Sequence, residues 1–187
     1  WGKSTLFEES AAVPLIMAGP GVPAGKTVST LTSLVDSAPT IMECVGAKPA
    51  PADATLPGRS LFEIAAGADS ERTAFSEYHA AASMTGTFML RDGNYKLVYF
   101  VGMEPELFDL EADPDETRNL AALPEFADVL ARMTARLRGI CDPEEVDRRA
   151  RADQAATIDR HGGREELLKR GDFGYSPAPG QKPEFSV

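Results

Sequence analysis

Few side chains in this 187-residue sequence combine a type and a spacing that suggest chemistry. Lys3, in Gly2-Lys3-Ser4-Thr5, places a cation close to the first residue. Taken by itself, a lysine in such a place is usually a solvated surface residue. His79, two residues after Glu77, follows a run typical of a β-strand, and the ends of strands often carry function. These three residues are the candidates for contact with a polar or anionic ligand.

Other motifs fail on their spacing. Gly19-Pro20-Gly21 is not followed by a helix that begins with Lys-Ser/Thr, so it is not a phosphate-binding loop. Cys44 and Cys141 match no metal-binding pattern and indicate two reduced cysteines rather than a disulfide. No acidic cluster has the spacing of a divalent cation site. We therefore expect no metal ligands within this chain.

The charge balance excludes two classes of partner. The sequence holds 19 Lys and Arg against 29 Asp and Glu, which gives a net charge of -10. Nucleic acids and anionic membranes both select clustered positive charge, so we predict no nucleic-acid partner and no membrane partner. No apolar run is long enough to cross a bilayer.

The first part of the chain reads as the edge of an α/β sheet. The apolar run Val13–Ala18 predicts a buried strand, and a second strand is predicted over residues 27–34. Asp36 is a suitable N-cap for a helix that ends at Gly46. The apolar face of that helix would consist of Ile41, Met42 and Val45.

The middle of the chain predicts a small antiparallel sheet. Its strands cover residues 73–78, 87–91 and 96–101, and residues 107–110 add a further one. Asp92-Gly93-Asn94 supplies a tight hairpin turn, and Pro124 opens an amphipathic helix that covers one face of the sheet. A polar helix is predicted over residues 143–160, with a break at Gly162-Gly163.

The predicted organisation has three parts: residues 1–67 form the sheet edge, 68–140 the antiparallel subdomain with its packing helix, and 141–187 the polar helix and an extended tail. The tail holds Phe173, Tyr175 and Phe185 among Pro and Gly. We expect these aromatic side chains to pack on a neighbouring subunit of a homo-oligomer. The opening at Trp1, without Met or a signal peptide, favours a fragment of a longer protein.

Four segments, in this order, resemble the sulfatase family. The first is Trp1–Glu9 followed by Val13-Pro14-Leu15-Ile16, which is similar to the stretch that ends in a catalytic lysine and a "VPLI" strand. The others are Leu34-Val35-Asp36 with Pro39-Thr40 and Gly58-Arg59-Ser60-Leu61; Arg91-Asp92-Gly93 with Tyr95-Lys96; and Leu107-Phe108-Asp109-Leu110 with Asp113-Pro114, Glu116 and Asn119-Leu120. They extend over about 120 residues, a span that fits one domain.

The resemblance implies an α/β fold: the end of an alkaline-phosphatase-like α/β sheet domain plus a small C-terminal subdomain of antiparallel sheet and helix. It also implies hydrolysis of sulfate esters by a formylglycine nucleophile beside a divalent cation, usually calcium. The family keeps both groups in its N-terminal domain, upstream of Trp1. Cys141-Asp142-Pro143 begins like a formylglycine motif, but Glu145 stands where the motif needs Arg. We therefore expect no cofactor within this chain, and no activity from this chain alone.

The resemblance also assigns the candidate residues. Lys3 matches the lysine that contacts the sulfate, and a fixed cation there would stabilise the charge that develops on the leaving oxygen. His79, and with less support Glu77, would face the cleft and contact the substrate. Two alternatives stay open: a phosphonate monoester hydrolase or phosphodiesterase of the same superfamily, and a non-catalytic structural module. The compartment and the substrate alcohol stay open too.

Overall fold

The computed structural model describes residues 5–53, 55–67, 71–80 and 83–169, together with the backbone of Asp172–Phe173 and Phe185–Ser186. The chain divides into two compact units, Trp1–Pro143 and Glu144–Val187. The helices are α1 (Glu8–Ala11), α2 (Ser37–Cys44), α3 (Leu61–Ala65), α4 (Ala127–Ile140), α5 (Pro143–Arg160) and α6 (Arg164–Lys169), with short 3₁₀ turns at Leu34–Asp36, Pro51–Asp53 and Pro124–Phe126. The strands are β1 (Thr73–Tyr78), β2 (Thr87–Asp92), β3 (Tyr95–Phe100), β4 (Glu106–Asp109), β5 (Asp172–Phe173) and β6 (Phe185–Ser186).

The two strands predicted before α2 are absent. Residues 13–18 and 27–33 have no regular structure, and Ile16 is 90% exposed. A strand forms only when a neighbouring strand satisfies its backbone groups, and no strand in the described residues pairs with either segment. The prediction of a buried apolar face on α2 is also wrong, because Ile41 and Val45 are exposed.

A four-stranded antiparallel sheet dominates the first unit. Its strands lie in the order β1-β2-β3-β4, so each strand pairs with the next one along the chain. Asp92 pairs with Tyr95 across the β2–β3 turn, where Gly93 has a positive φ of 58°. Only residues that tolerate this left-handed conformation fit such a tight turn, and glycine does so without strain. The antiparallel sheet inferred from the sequence is confirmed.

The sheet has two buried faces. On one, which we call the N-terminal face, Met89, Val98 and Phe108 pack with Leu6 from the segment before α1. Successive side chains of a strand point to opposite sides, so Phe88, Leu90, Leu97 and Leu107 lie on the other face. We call this second face the α4 face.

Helix α4 packs on β2 and β3 and carries buried Met133 and Leu137, one turn apart. Its arginines Arg132 and Arg136 both bind the Asp92 carboxylate, and the Arg138 guanidinium lies 5.6 Å from the centre of the Tyr99 ring. The amphipathic helix expected after Pro124 is therefore confirmed, with a 3₁₀ turn as its entrance.

In the second unit, α5 is the predicted polar helix, and Gly162 and Gly163, both at positive φ, separate it from α6. Ion pairs along its surface join Arg148 to Glu145 and Arg151 to Asp147. Strands β5 and β6 pair antiparallel. The side chains of the tail aromatics lie outside the described residues, and so does any contact they make. Among the described helices, none has the length and apolar content that crossing a bilayer requires.

Candidate functional site

The segment that follows Lys3 in sequence is fixed on the N-terminal face of the sheet. Leu6 is buried there, and the Phe7 ring packs against Phe108 with ring centres 5.9 Å apart. Helix α1 then begins at Glu8. A four-residue helix is too short to be stable by itself, so contacts with the sheet must hold it.

A buried cluster of charges supplies these contacts. Lys96 points from β3 into the N-terminal face and is fully buried. Its ammonium lies 3.0 Å from Glu8 Oε1 and 2.8 Å from Glu116 Oε1. Arg91 adds a third ion pair, 3.1 Å from the Glu8 carboxylate. Burying the charge of a lysine is costly unless the charge is paired, and here two carboxylates pair with it.

Glu116 connects this cluster to the backbone of α1. Its second oxygen accepts a hydrogen bond from the backbone amide of Glu8, the first residue of the helix. The first amides of a helix have no partner inside the helix, so this carboxylate acts as their cap. Glu116 sits in a turn built by Asp113, whose carboxylate accepts hydrogen bonds from the amides of Thr117 and Arg118. Asp113-Pro114, part of one of the segments that carried the resemblance, thus builds a turn that places Glu116.

A cavity of about 270 Å³ opens beside the same segment. Thr5, Leu6 and Phe7 form one wall, and the strand ends and the loops around them form the rest. The other lining residues are Ser83, Met84, Thr85, Thr87, Val98, Phe100, Met103 and Glu106. The lining is mainly apolar and aromatic, with a few polar groups, which is the usual character of a small-molecule pocket.

Among the described residues that line the cavity, Glu106 is the one that carries a carboxylate. Burial raises the pKa of this carboxyl, and the negative charge of nearby Glu116 raises it further. The group therefore holds its proton at a higher pH than an exposed glutamate does. In its protonated form it is able to donate a hydrogen bond into the cavity.

The structure brings Glu77 and His79 together but does not place them on the cavity wall. Their side chains lie 3.8 Å apart, measured from Glu77 Oε2 to His79 Nε2. The His79 ring stands edge-on to Phe88, with ring centres 5.3 Å apart, and Phe88 belongs to the α4 face. The cavity lies on the opposite face. A substrate contact by His79 and Glu77 stays a prediction.

Lys3 lies outside the described residues, and its contact with the sulfate stays a prediction. Within the described ranges, no group of three or more His, Cys, Asp or Glu side chains is arranged to hold a metal ion. The described residues therefore do not fit the divalent cation that the resemblance to sulfatases implies.

A second buried hub joins two of the segments that carried the resemblance. The Asp36 carboxylate accepts hydrogen bonds from the amides of Ser33 and Arg59 and from the Arg72 guanidinium, each 2.8 Å long. Burial alone would raise the pKa of Asp36, but these three donors outweigh it and hold the pKa below its ordinary value. Asp36 is the N-cap residue of α2, as expected from the sequence, but its side chain makes no capping hydrogen bond to that helix. Thr40 extends the hub, because its hydroxyl donates to the Asp36 carbonyl and accepts from the amide of Leu61.

Sequence reasoning missed the roles of Glu8, Lys96, Glu106 and Glu116. One signal was available for Lys96. It alternates with Val98 and Phe100 along β3, so the period of two places a lysine in an apolar stripe. A lysine in that position predicts a buried ion pair, although not the identity of its partners.

Comparisons with known proteins agree on one family. Residues 1–142 match the family described as "N-sulphoglucosamine sulphohydrolase, C-terminal". Arylsulfatase K of Mus musculus is 34% identical over 156 residues, which cover 77% of this chain and 27% of that protein. The choline-sulfatase of Rhizobium meliloti is 39% identical over 136 residues, covering 72% and 26%. The chain thus spans about a quarter of the length of these relatives.

Solved structures agree in fold. A chain described as a sulfatase from Bacteroides thetaiotaomicron superposes with a TM-score of 0.64 at 28% identity, covering 81% of this chain and 33% of that one. A phosphonate monoester hydrolase from Silicibacter pomeroyi gives a TM-score of 0.62 at 30% identity, covering 73% and 30%. Both neighbours support the fold class expected from the sequence.

Proposed function

Because this chain belongs to the sulfatase family and matches its C-terminal portion, we propose that it is the C-terminal part of an enzyme that hydrolyses sulfate esters. Its share of the active site is Lys3 and one wall of the substrate pocket. The relatives are about four times longer than the matched region, which supports a catalytic centre completed by other parts of the protein. We expect the formylglycine nucleophile and a calcium ion to be held there.

The observation that carries this proposal is the cavity beside Thr5, Leu6 and Phe7. These residues begin two positions after Lys3, so the sequence that matches the catalytic stretch also lines a pocket. Hydrolysis breaks the bond between sulfur and the ester oxygen and leaves charge on that oxygen. A fixed ammonium group there lowers the barrier, and the apolar lining with Phe7 and Phe100 suits the carbon skeleton of the alcohol.

The test uses the full-length protein with added calcium and compares an aryl sulfate with an aryl phosphonate. We expect sulfate to be the better substrate and Lys3→Ala to lower kcat by about 100-fold or more. Lys48→Ala is the matched control, because Lys48 is exposed in a loop. This substitution removes the same charge as Lys3→Ala. The 187-residue chain alone should turn over neither substrate.

A second candidate, a phosphonate monoester hydrolase, is favoured by the structural likeness at 30% identity. Faster turnover of the phosphonate would establish it and displace the sulfatase proposal. Absence of turnover of either ester by the full-length protein would favour a non-catalytic module. If Lys3→Ala kept the kcat of the wild type, the assignment of Lys3 to the active site would be wrong.

A further inference from the structure

We propose that the cavity beside Thr5, Leu6 and Phe7 selects its substrate by charge, and that Glu106 is the specificity-determining residue. The cavity favours an alcohol portion with a positive charge and disfavours one with a negative charge. The inference rests on the proposed function, because it assumes that the cavity receives the alcohol portion of the sulfate ester. It goes beyond that function by naming the chemical class of the alcohol.

The charge of the lining gives the first reason. Within the described part of the lining, Glu106 is the only charged residue, and no Lys, Arg or His accompanies it. An anionic group on the alcohol would therefore meet a like charge with no cation on the wall to offset it. Contact between like charges strongly disfavours binding, so the lining suits a cationic or neutral group.

The surroundings of Glu106 give the second reason. Among the described residues, no donor forms a hydrogen bond or an ion pair with its half-buried carboxylate. The neighbouring charge cluster offers no spare cation, because its lysine and its arginine are already paired with its two carboxylates. Burial raises the pKa of Glu106, and the charge of Glu116 raises it further. A bound cation would offset both effects and supply the missing partner.

The hydroxyl groups of the lining give the third reason. The Ser83 hydroxyl donates to the Thr85 carbonyl, and the Thr85 hydroxyl donates to the Val101 carbonyl at 2.9 Å. The Thr87 hydroxyl lies within reach of the same Thr85 carbonyl, at 3.4 Å. Because the protons of these hydroxyls point at the backbone, their oxygens are left to accept hydrogen bonds. The wall therefore suits a ligand group that donates, as an ammonium does.

The apolar part of the lining gives the fourth reason. Phe7, Phe100, Met84 and Met103 line the same cavity. The faces of aromatic rings attract cations, and thioethers are polarizable enough to adapt to ligands of different shape. A cavity of about 150 Å³ holds one benzene ring. The cavity of about 270 Å³ thus has room for a ring with a short charged substituent.

The test uses the full-length protein with calcium at neutral pH. Its substrates are three phenyl sulfates that carry an aminomethyl, a hydroxymethyl or a carboxymethyl group at the meta position. The methylene group separates the charge from the reacting oxygen, so the three esters differ little in intrinsic reactivity. We expect kcat/KM to fall in that order, with the aminomethyl ester about 10-fold or more above the carboxymethyl ester.

Glu106→Gln keeps the size of the side chain and removes its charge. We expect it to lower the ratio of kcat/KM between the aminomethyl and carboxymethyl esters to less than about threefold, mainly through KM. The value for the hydroxymethyl ester should change little, which shows that the variant is folded and active.

Glu104→Gln is the matched control. It removes the same charge from an exposed position two residues earlier, outside the cavity lining. The net charge of -10 attracts cations from a distance, and this control separates that general field from contact within the cavity. We expect Glu104→Gln to keep the ratio of the wild type.

Binding of the three corresponding phenols, measured by calorimetry, separates this inference from the proposed function. We expect the aminomethyl phenol to bind most tightly and this preference to disappear in Glu106→Gln. If the wild type hydrolyses the three esters equally well, or if both variants lower the ratio equally, selection by Glu106 is wrong and the proposed function stands. If no ester is hydrolysed but the phenols bind in the expected order, the proposed function is wrong and the charge selection stands.

Discussion

Replacing Asp36 by Asn should destabilise the protein strongly, although the two side chains are nearly equal in size. The carboxylate is fully buried and accepts from three donors, two at Oδ1 and one at Oδ2. An asparagine has one oxygen, so its NH₂ group must face either the Ser33 amide or the pair formed by the Arg59 amide and Arg72. At least one hydrogen bond is lost in either orientation, together with the charge opposite Arg72.

The magnitude follows from these losses. Hydrogen bonds to charged groups contribute about 1.5–3 kcal/mol, and removing one partner of a buried ion pair costs about 3–5 kcal/mol. The side chain of Arg72 is 15% exposed, so water partly solvates it after the change. We therefore expect a loss near the lower end, about 3 kcal/mol.

The pH dependence gives an independent check. The pKa of Asp36 in the folded state lies below the ordinary value of 3.8. Its contribution to stability is fully present above 3.8 and is lost as the pH falls from there through the lower folded-state pKa. Asp36→Asn lacks this group, so its stability should fall less over that interval than the stability of the wild type.

Urea unfolding followed by circular dichroism measures both effects. Asp53→Asn is the matched control, because Asp53 accepts one hydrogen bond from the Ala50 amide at an exposed site and should change stability by less than about 0.5 kcal/mol. If Asp36→Asn lowered the free energy of unfolding by less than about 1 kcal/mol, the Asp36 hydrogen bonds would not be a major source of stability. A pH dependence of stability equal to that of the wild type would contradict the reasoning in the same way.

Two further substitutions test close packing. Gly58→Ala should cost more than about 1 kcal/mol, because Gly58 has φ +127° and an added Cβ would lie 2.5 Å from the carbonyl oxygen of Val35. Met133→Ala should cost about 2–5 kcal/mol, since the side chain is fully buried where α4 meets the sheet. Chemical denaturation measures both.

Each of these has a control in the same unit. Gly46→Ala meets a positive φ of 66° in open space, so it isolates backbone strain from the clash with Val35. Ile140→Ala, near the end of α4, removes a half-exposed side chain and should cost less than about 1 kcal/mol. Equal losses for Gly58→Ala and Gly46→Ala, or for Met133→Ala and Ile140→Ala, would contradict the packing described above.

The antiparallel sheet was predictable from the sequence because its information is local. Alternating side chains, the Asp92-Gly93-Asn94 turn and the spacing of Met133 and Leu137 each specify a neighbour that lies close in sequence. The strands expected at residues 13–18 and 27–34 failed for the opposite reason. Their apolar composition was correct, but a strand also needs a partner, and composition does not supply one.

The charge clusters were beyond sequence reasoning. Glu8 and Lys96 are 88 residues apart, and Asp36 and Arg72 are 36 apart. From the sequence alone, each acidic side chain would be predicted to be a solvated residue or a helix cap. Only the fold shows which charged side chains form ion pairs. The motifs that carried the family resemblance marked Asp36, Lys96 and Glu116 as notable without indicating that they hold segments together.

The order of the strands also bears on how the chain folds. Every pairing in the four-stranded sheet joins consecutive strands, so its loops are short and the entropic cost of closing them is small. Such local pairing favours rapid folding. The contact between Lys96 and Glu8 closes a far longer loop, and until that loop closes the lysine stays hydrated on an open face. We therefore expect the four-stranded sheet to form first and the N-terminal segment to dock onto it last.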